Sequence, residues 1–197
     1  MRSSTRREFL TGPAGRIECA VDTPQGEPLG IALIAHPHPL FGGSLDNKVV
    51  QTLARAFLEL GWQTWRPNFR GVGETEGVHD EGRGELEDLA AIVAHLRPAR
   101  LALAGFSFGA GLQVQLAARV KAEVLVVVGV AVTRFALPDA PKGTLVIHGE
   151  HDETVPLARV LDWARPQDLP VVVVPGAEHF FHRKLNVLRD IVLAYIR

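Results

Sequence analysis

Residues 101–109 read Leu-Ala-Leu-Ala-Gly-Phe-Ser-Phe-Gly, and no other segment constrains the fold as tightly. Four apolar residues predict a buried strand. The Gly-x-Ser-x-Gly that follows predicts a sharp turn, and residues 109–120 carry a helical pattern. A strand, a serine on a tight turn and a helix in that order expose the serine hydroxyl at a strand end. Gly105 and Gly109 lack a Cβ, so neighbouring backbone can come close. The new helix turns its N–H groups and positive dipole end toward the serine.

The rest of the chain repeats the same alternation. Strands are expected over residues 31–35, 63–66, 101–105, 124–132, 145–148 and 171–174. Helices are expected over 45–60, 85–96, 109–120, 156–164 and 181–196. Glu85 and Asp88 suit the dipole of a first helical turn. Runs of Val, Ile and Leu alternating with helices imply a parallel sheet covered on both faces. Residues 8–22 read as a β-hairpin turning at Gly12-Pro13-Ala14-Gly15. About a dozen residues separate the strand ending near Val132 from the next, which leaves no room for a substantial lid.

Composition narrows the function classes. Apolar residues are 47% of the 197, enough for one full core, and the expectation is one domain over 1–197. A net charge of −1 gives no footprint for nucleic acid or an anionic membrane surface. Cys19 is the single cysteine. It allows no internal disulfide and fits a reducing, cytoplasmic setting. Thr5-Arg6-Arg7-Glu8-Phe9-Leu10 resembles a twin-arginine export motif, yet polar, turn-forming residues follow instead of an apolar stretch. No apolar run is long enough for a membrane span.

A serine hydroxyl needs a base, and the base needs an orienting group. In the α/β-hydrolases, which this strand, Gly-x-Ser-x-Gly turn and helix resemble, the order along the chain is Ser, then Asp or Glu, then His. Asp152, in His-Gly-Glu-His-Asp-Glu-Thr-Val-Pro, falls just past one strand; His179 falls just past the last. Glu150 and Glu153 compete with Asp152 on spacing alone. Asp139 precedes its strand, at the wrong end of the sheet. His148 reads as packed, His151 as exposed, and His182 is the rival base. Ser107, Asp152 and His179 are therefore the candidate triad.

Residues 36–44, His-Pro-His-Pro-Leu-Phe-Gly-Gly-Ser, follow the first parallel strand. A loop there supplies an oxyanion N–H, to be joined by the N–H of Phe108. Pro37 and Pro39 have none to give. Leu40 is the favoured donor, with His38 second. His36 and His38 have no matching partners for a metal, so no metal or cofactor is expected. Their expected role is to brace the loop. Arg70 either meets a substrate carboxylate or, as favoured, ties neighbouring loops.

The segments AHPHPLFGGSLDNKVV, NFRGVGETEG, AGFSFGAG, HGEHDETVP and GAEHFF together resemble the small, lidless α/β-hydrolases close to the dienelactone-hydrolase-like serine carboxylesterases. The resemblance spans residues 35–181. It implies Ser107, Asp152 and His179 as the triad and small carboxylic esters as substrates. Dienelactone hydrolases proper use a cysteine nucleophile, so that substrate does not carry over. A thioesterase or peptidase would use the same triad, and an acyltransferase would pass the acyl group to an acceptor other than water. A non-enzymatic interaction module on this fold would usually lack a triad member. Acyl group, alcohol group and oligomeric state are not readable from the residues.

Overall fold

The structure is a computed structural model that describes residues 5–196. Eight strands form one sheet: β1 (Arg6–Gly12), β2 (Gly15–Asp22), β3 (Ile31–Ala35), β4 (Gln63–Pro67), β5 (Leu101–Phe106), β6 (Val124–Val128), β7 (Leu145–Gly149) and β8 (Val171–Val174). Their order across the sheet is β1-β2-β4-β3-β5-β6-β7-β8. The β1–β2 and β2–β4 pairs are antiparallel. From β4 through β8 every pair is parallel. The helices are α1 (Lys48–Glu59), α2 (Arg83–Leu96), α3 (Phe108–Ala117), α4 (Leu157–Ala164) and α5 (Leu185–Ile196).

Period-two alternation divides the interior. Leu33, Leu103, Val127 and Val146 point to one face, where they pack with residues of α2, α3 and α4. Ala32, Ile34, Ala102, Ala104, Val126 and Ile147 point to the other and meet α1 and α5. Because both faces are covered, these strands carry unbroken apolar runs rather than alternation. The order β3-β5-β6-β7-β8 brings the C-terminal ends of the parallel strands side by side. Loops leaving those ends can therefore meet in one place.

The expected elements are present, with shifted boundaries. α1 begins at Lys48 rather than Leu45 because the Asn47 side chain accepts the N–H groups of Val49 and Val50. α2 begins at Arg83 because Glu85 reaches back to the N–H groups of Asp80 and Gly82. β6 stops at Val128, where Gly129 turns the chain at φ +53°. α5 starts only at Leu185, since Phe181 and Arg183 both hold positive φ. Residues 129–144, between β6 and β7, contain no helix or strand. Among the described residues no helix is long and apolar enough to cross a membrane.

Candidate active site

Ser107 stands between β5 and α3 at φ +54°, ψ −116°. Side-chain-bearing residues avoid this region, at a cost on the order of 1–3 kcal/mol. Neighbours hold it there. Its N–H donates to Val128 O at 2.9 Å, and its carbonyl accepts from Gly111 at 3.1 Å and Ala131 at 3.3 Å. The flanking glycines are required by space. A Cβ on Gly105 would sit 2.7 Å from the backbone of Gly109 and Ala110; one on Gly109 would sit 2.4 Å from His36 O.

His179, on the loop after β8, places Nε2 3.0 Å from Ser107 Oγ. Its Nδ1 lies 2.6 Å from Asp152 Oδ2. A carboxylate can only accept, so Nδ1 carries the proton and Nε2 presents its lone pair to the serine hydroxyl. The other oxygen of Asp152 accepts the N–H groups of Thr154 at 3.0 Å and Val155 at 2.8 Å. The imidazole is wedged between Phe106 and Phe180, at centroid distances of 4.8 and 5.1 Å. Gly129 leaves the space its edge needs. The three side chains predicted from sequence are thus brought together in one hydrogen-bonded line.

The competitors lie elsewhere. Glu150 is exposed and accepts the N–H of Gly176. Glu153 is exposed. His151 is exposed beside Glu150. His182 is exposed and paired with Glu178. His148 is fully buried behind Asp152.

In the loop after β3, expected to give the second oxyanion N–H, the two candidate donors differ in their surroundings. The N–H of Leu40 donates to the His38 ring at Nδ1, 3.2 Å away. It caps a short 3-10 turn over Pro39–Phe41. The favoured second donor, Leu40, is therefore engaged, and its side chain is largely solvent-exposed. No acceptor among the described residues takes the N–H of His38 or of Phe108. The His38 and Phe108 rings pack at 4.8 Å, which keeps loop and elbow together. His36 braces the loop as predicted. Its Nε2 accepts the N–H of Phe69 at 2.9 Å, and its Nδ1 donates to Pro37 O at 2.6 Å. Burial pushes this imidazole down to about 4, so it is neutral at neutral pH.

Sequence reasoning missed His79, Glu81 and Arg134. The His79 ring packs 4.8 Å from that of His38 and 5.6 Å from that of Phe108. Arg134 lies 5.9 Å from the Phe108 centroid and 2.6 Å from Glu81. No spacing motif links these residues; only the fold does. Ligand atoms of His38, His79 and Glu81 fall within 4.8 Å of one another. This set does not suit a cation. The Leu40 N–H claims His38 Nδ1, which leaves the proton rather than a lone pair on Nε2, and Arg134 already neutralises Glu81. Arg70 forms a two-pronged bond to Asp88 at 2.7 and 2.9 Å and lies against Gly84. It ties the loop after β4 to α2.

A sequence profile of the alpha/beta hydrolase fold matches residues 38–143. The chain belongs to the α/β-hydrolase fold family. Within that family it is similar to XC6422 from Xanthomonas campestris, described as an a/b serine hydrolase without lid. Identity there is 38% over all of this chain and 95% of the other, with a TM-score of 0.92. An alpha-beta serine hydrolase homologue from Coxiella burnetii is also 38% identical, over all of this chain and 99% of that one, with a TM-score of 0.91. The uncharacterized protein RP471 of Rickettsia prowazekii is 29% identical over 95% of this chain and 87% of its own length. The lidless α/β-hydrolase architecture agrees with the bare β6–β7 connection seen here.

Proposed function

We propose that this α/β-hydrolase cleaves small carboxylic esters through an acyl-enzyme on Ser107. The observation that carries this reading is the line Ser107 Oγ–His179 Nε2, His179 Nδ1–Asp152 Oδ2, at 3.0 and 2.6 Å. Ser107 Oγ attacks the ester carbonyl carbon while His179 Nε2 takes its proton. Asp152 holds the imidazole in the required tautomer and balances its positive form. The tetrahedral oxyanion is held by the N–H groups of Phe108 and His38, neither of which has an acceptor among the described residues. His179 then returns the proton to the departing alkoxide, and the alcohol leaves. Water, deprotonated by the same imidazole, hydrolyses the acyl-serine and restores the enzyme. The site needs no metal or cofactor for these steps.

The surroundings favour an apolar acyl or alcohol group. Phe41, packed 4.8 Å from the His38 ring, is 81% exposed, and Phe180 beside His179 is 44% exposed. Apolar side chains left in water beside the serine gain when an apolar ligand group covers them.

The test is hydrolysis of acetyl, butyryl and octanoyl p-nitrophenyl esters by the wild type and Ser107→Ala, with matched thioesters and anilides alongside. The ester reading predicts turnover of the esters, lost in the variant. Faster cleavage of the thioesters or anilides would move the activity to a thioesterase or peptidase. No turnover of any substrate would contradict a hydrolytic role.

A further inference from the structure

We propose that His148 is a positioning residue for the Ser107–His179–Asp152 line, fixing the loop that carries Asp152; the inference rests on the hydrolase reading above. His148 is the penultimate residue of β7, four residues before Asp152, and has no solvent exposure. Its Nε2 lies 2.8 Å from Val155 O and 3.5 Å from Asp152 Oδ2. A carbonyl only accepts, so the proton is on Nε2, which donates to Val155 O and lies beside Asp152 Oδ2. Val155 is not an arbitrary anchor. Its N–H donates to Asp152 Oδ1. The ring therefore grips the carbonyl side of the residue whose amide side grips the carboxylate.

The result is a continuous chain of contacts from the sheet to the serine. It runs from β7 through His148, Val155, Asp152 and His179 to Ser107 Oγ. Without the His148 anchor, the loop keeps its short-range bonds, Asp152 N–H to Gly149 O at 3.3 Å and the buried Val155 side chain, but Val155 O loses its His148 donor. The titratable groups facing His148 are Asp152 and, from the loop after β8, His179. Burial holds the His148 imidazole below its usual range and hence neutral. A neutral ring donates without claiming the carboxylate's charge, which stays with His179. A cationic ring there would compete for Asp152 Oδ2.

Three variants test this, with p-nitrophenyl butyrate as substrate. His148→Met fills the volume without a donor. His148→Gln places an amide N–H near the position of Nε2, and His148→Asn places it near Nδ1. The expected result is that His148→Met stays folded by circular dichroism and keeps its KM, while kcat falls about tenfold or more. The acid limb of its pH–rate profile should move to lower pH, because a loosened Asp152 supports the His179 imidazolium less. His148→Gln should recover most of kcat and the limb, and His148→Asn should not. Equal behaviour of the Gln and Asn variants, or an unmoved kcat and limb in His148→Met, would overturn the proposal. If the Met variant does not fold, the Gln–Asn comparison decides alone. Ser107→Ala is run alongside: full activity in that variant would instead strike the hydrolase reading on which the proposal rests.

Discussion

At the scale of single residues, the site is a set of proton assignments forced by partners. Asp152 can only accept, which fixes the His179 tautomer; Leu40 N–H fixes the opposite one in His38. Asp152→Asn should keep the fold but let the amide offer N–H to His179 Nδ1, turning the proton toward the serine. We expect kcat to fall by about 10³–10⁴-fold with KM little changed, read by steady-state ester hydrolysis. A loss below about tenfold would mean that Asp152 does not orient the base. The oxyanion assignment has its own readout. On binding a boronic acid that forms a tetrahedral adduct, the ¹⁵N–¹H signals of His38 and Phe108 should move strongly downfield and that of Leu40 should not. A large Leu40 shift with His38 unmoved would restore the donor favoured by sequence. Pro37 and Pro39 excluded themselves by lacking N–H groups, so sequence reduced the choice to a few residues. It could not go further, because the choice turns on where a histidine ring points.

At the scale of elements, the strand–turn–helix around Ser107 works only if α3 can lie close to the loop after β3. Gly109 is the contact point. Gly109→Ala should destabilise the protein by about 1–3 kcal/mol, since a backbone carbonyl cannot yield as a flexible side chain does. It should also depress activity, because the displaced segment begins the proposed oxyanion loop. Urea unfolding and ester hydrolysis check both; an unaffected midpoint would show that loop and helix are not in tight contact. The alternation of strands and helices was legible because burial on both faces leaves uninterrupted apolar runs, as in residues 124–128. The boundaries were less so. The near-continuous valine run from 124 to 132 predicts a longer β6, and Val130 and Ala131 are indeed buried. They are buried beneath the elbow, with Ala131 bonded to Ser107 O, and not within the sheet. The start of α5 was read four residues early because positive φ at Phe181 and Arg183 leaves no mark in residue type.

At the scale of the whole molecule, the loops at the C-terminal edge of the sheet rest on buried neutral histidines. This gives the fold a pH dependence. His36 is held near 4 in the folded state but has an ordinary imidazole value when unfolded. As pH falls from about 6.5 toward 4, the unfolded chain binds a proton that the folded one refuses, so stability is lost across that window. The effect from His36 alone is on the order of 3 kcal/mol. Burial shifts His38 and His148 in the same direction. Urea midpoints measured between pH 7 and 4 should fall, and His36→Gln should show a shallower slope. An equal slope in that variant would mean that His36 is not buried neutral.

If Ser107 is a nucleophile activated by His179, a fluorophosphonate added to the folded protein will form one adduct, on Ser107, rapidly in the wild type, as located by peptide mass spectrometry. It should be absent in Ser107→Ala and strongly slowed in His179→Ala. No adduct, an adduct on another residue, or labelling of Ser107 that ignores the loss of His179 would contradict that activation.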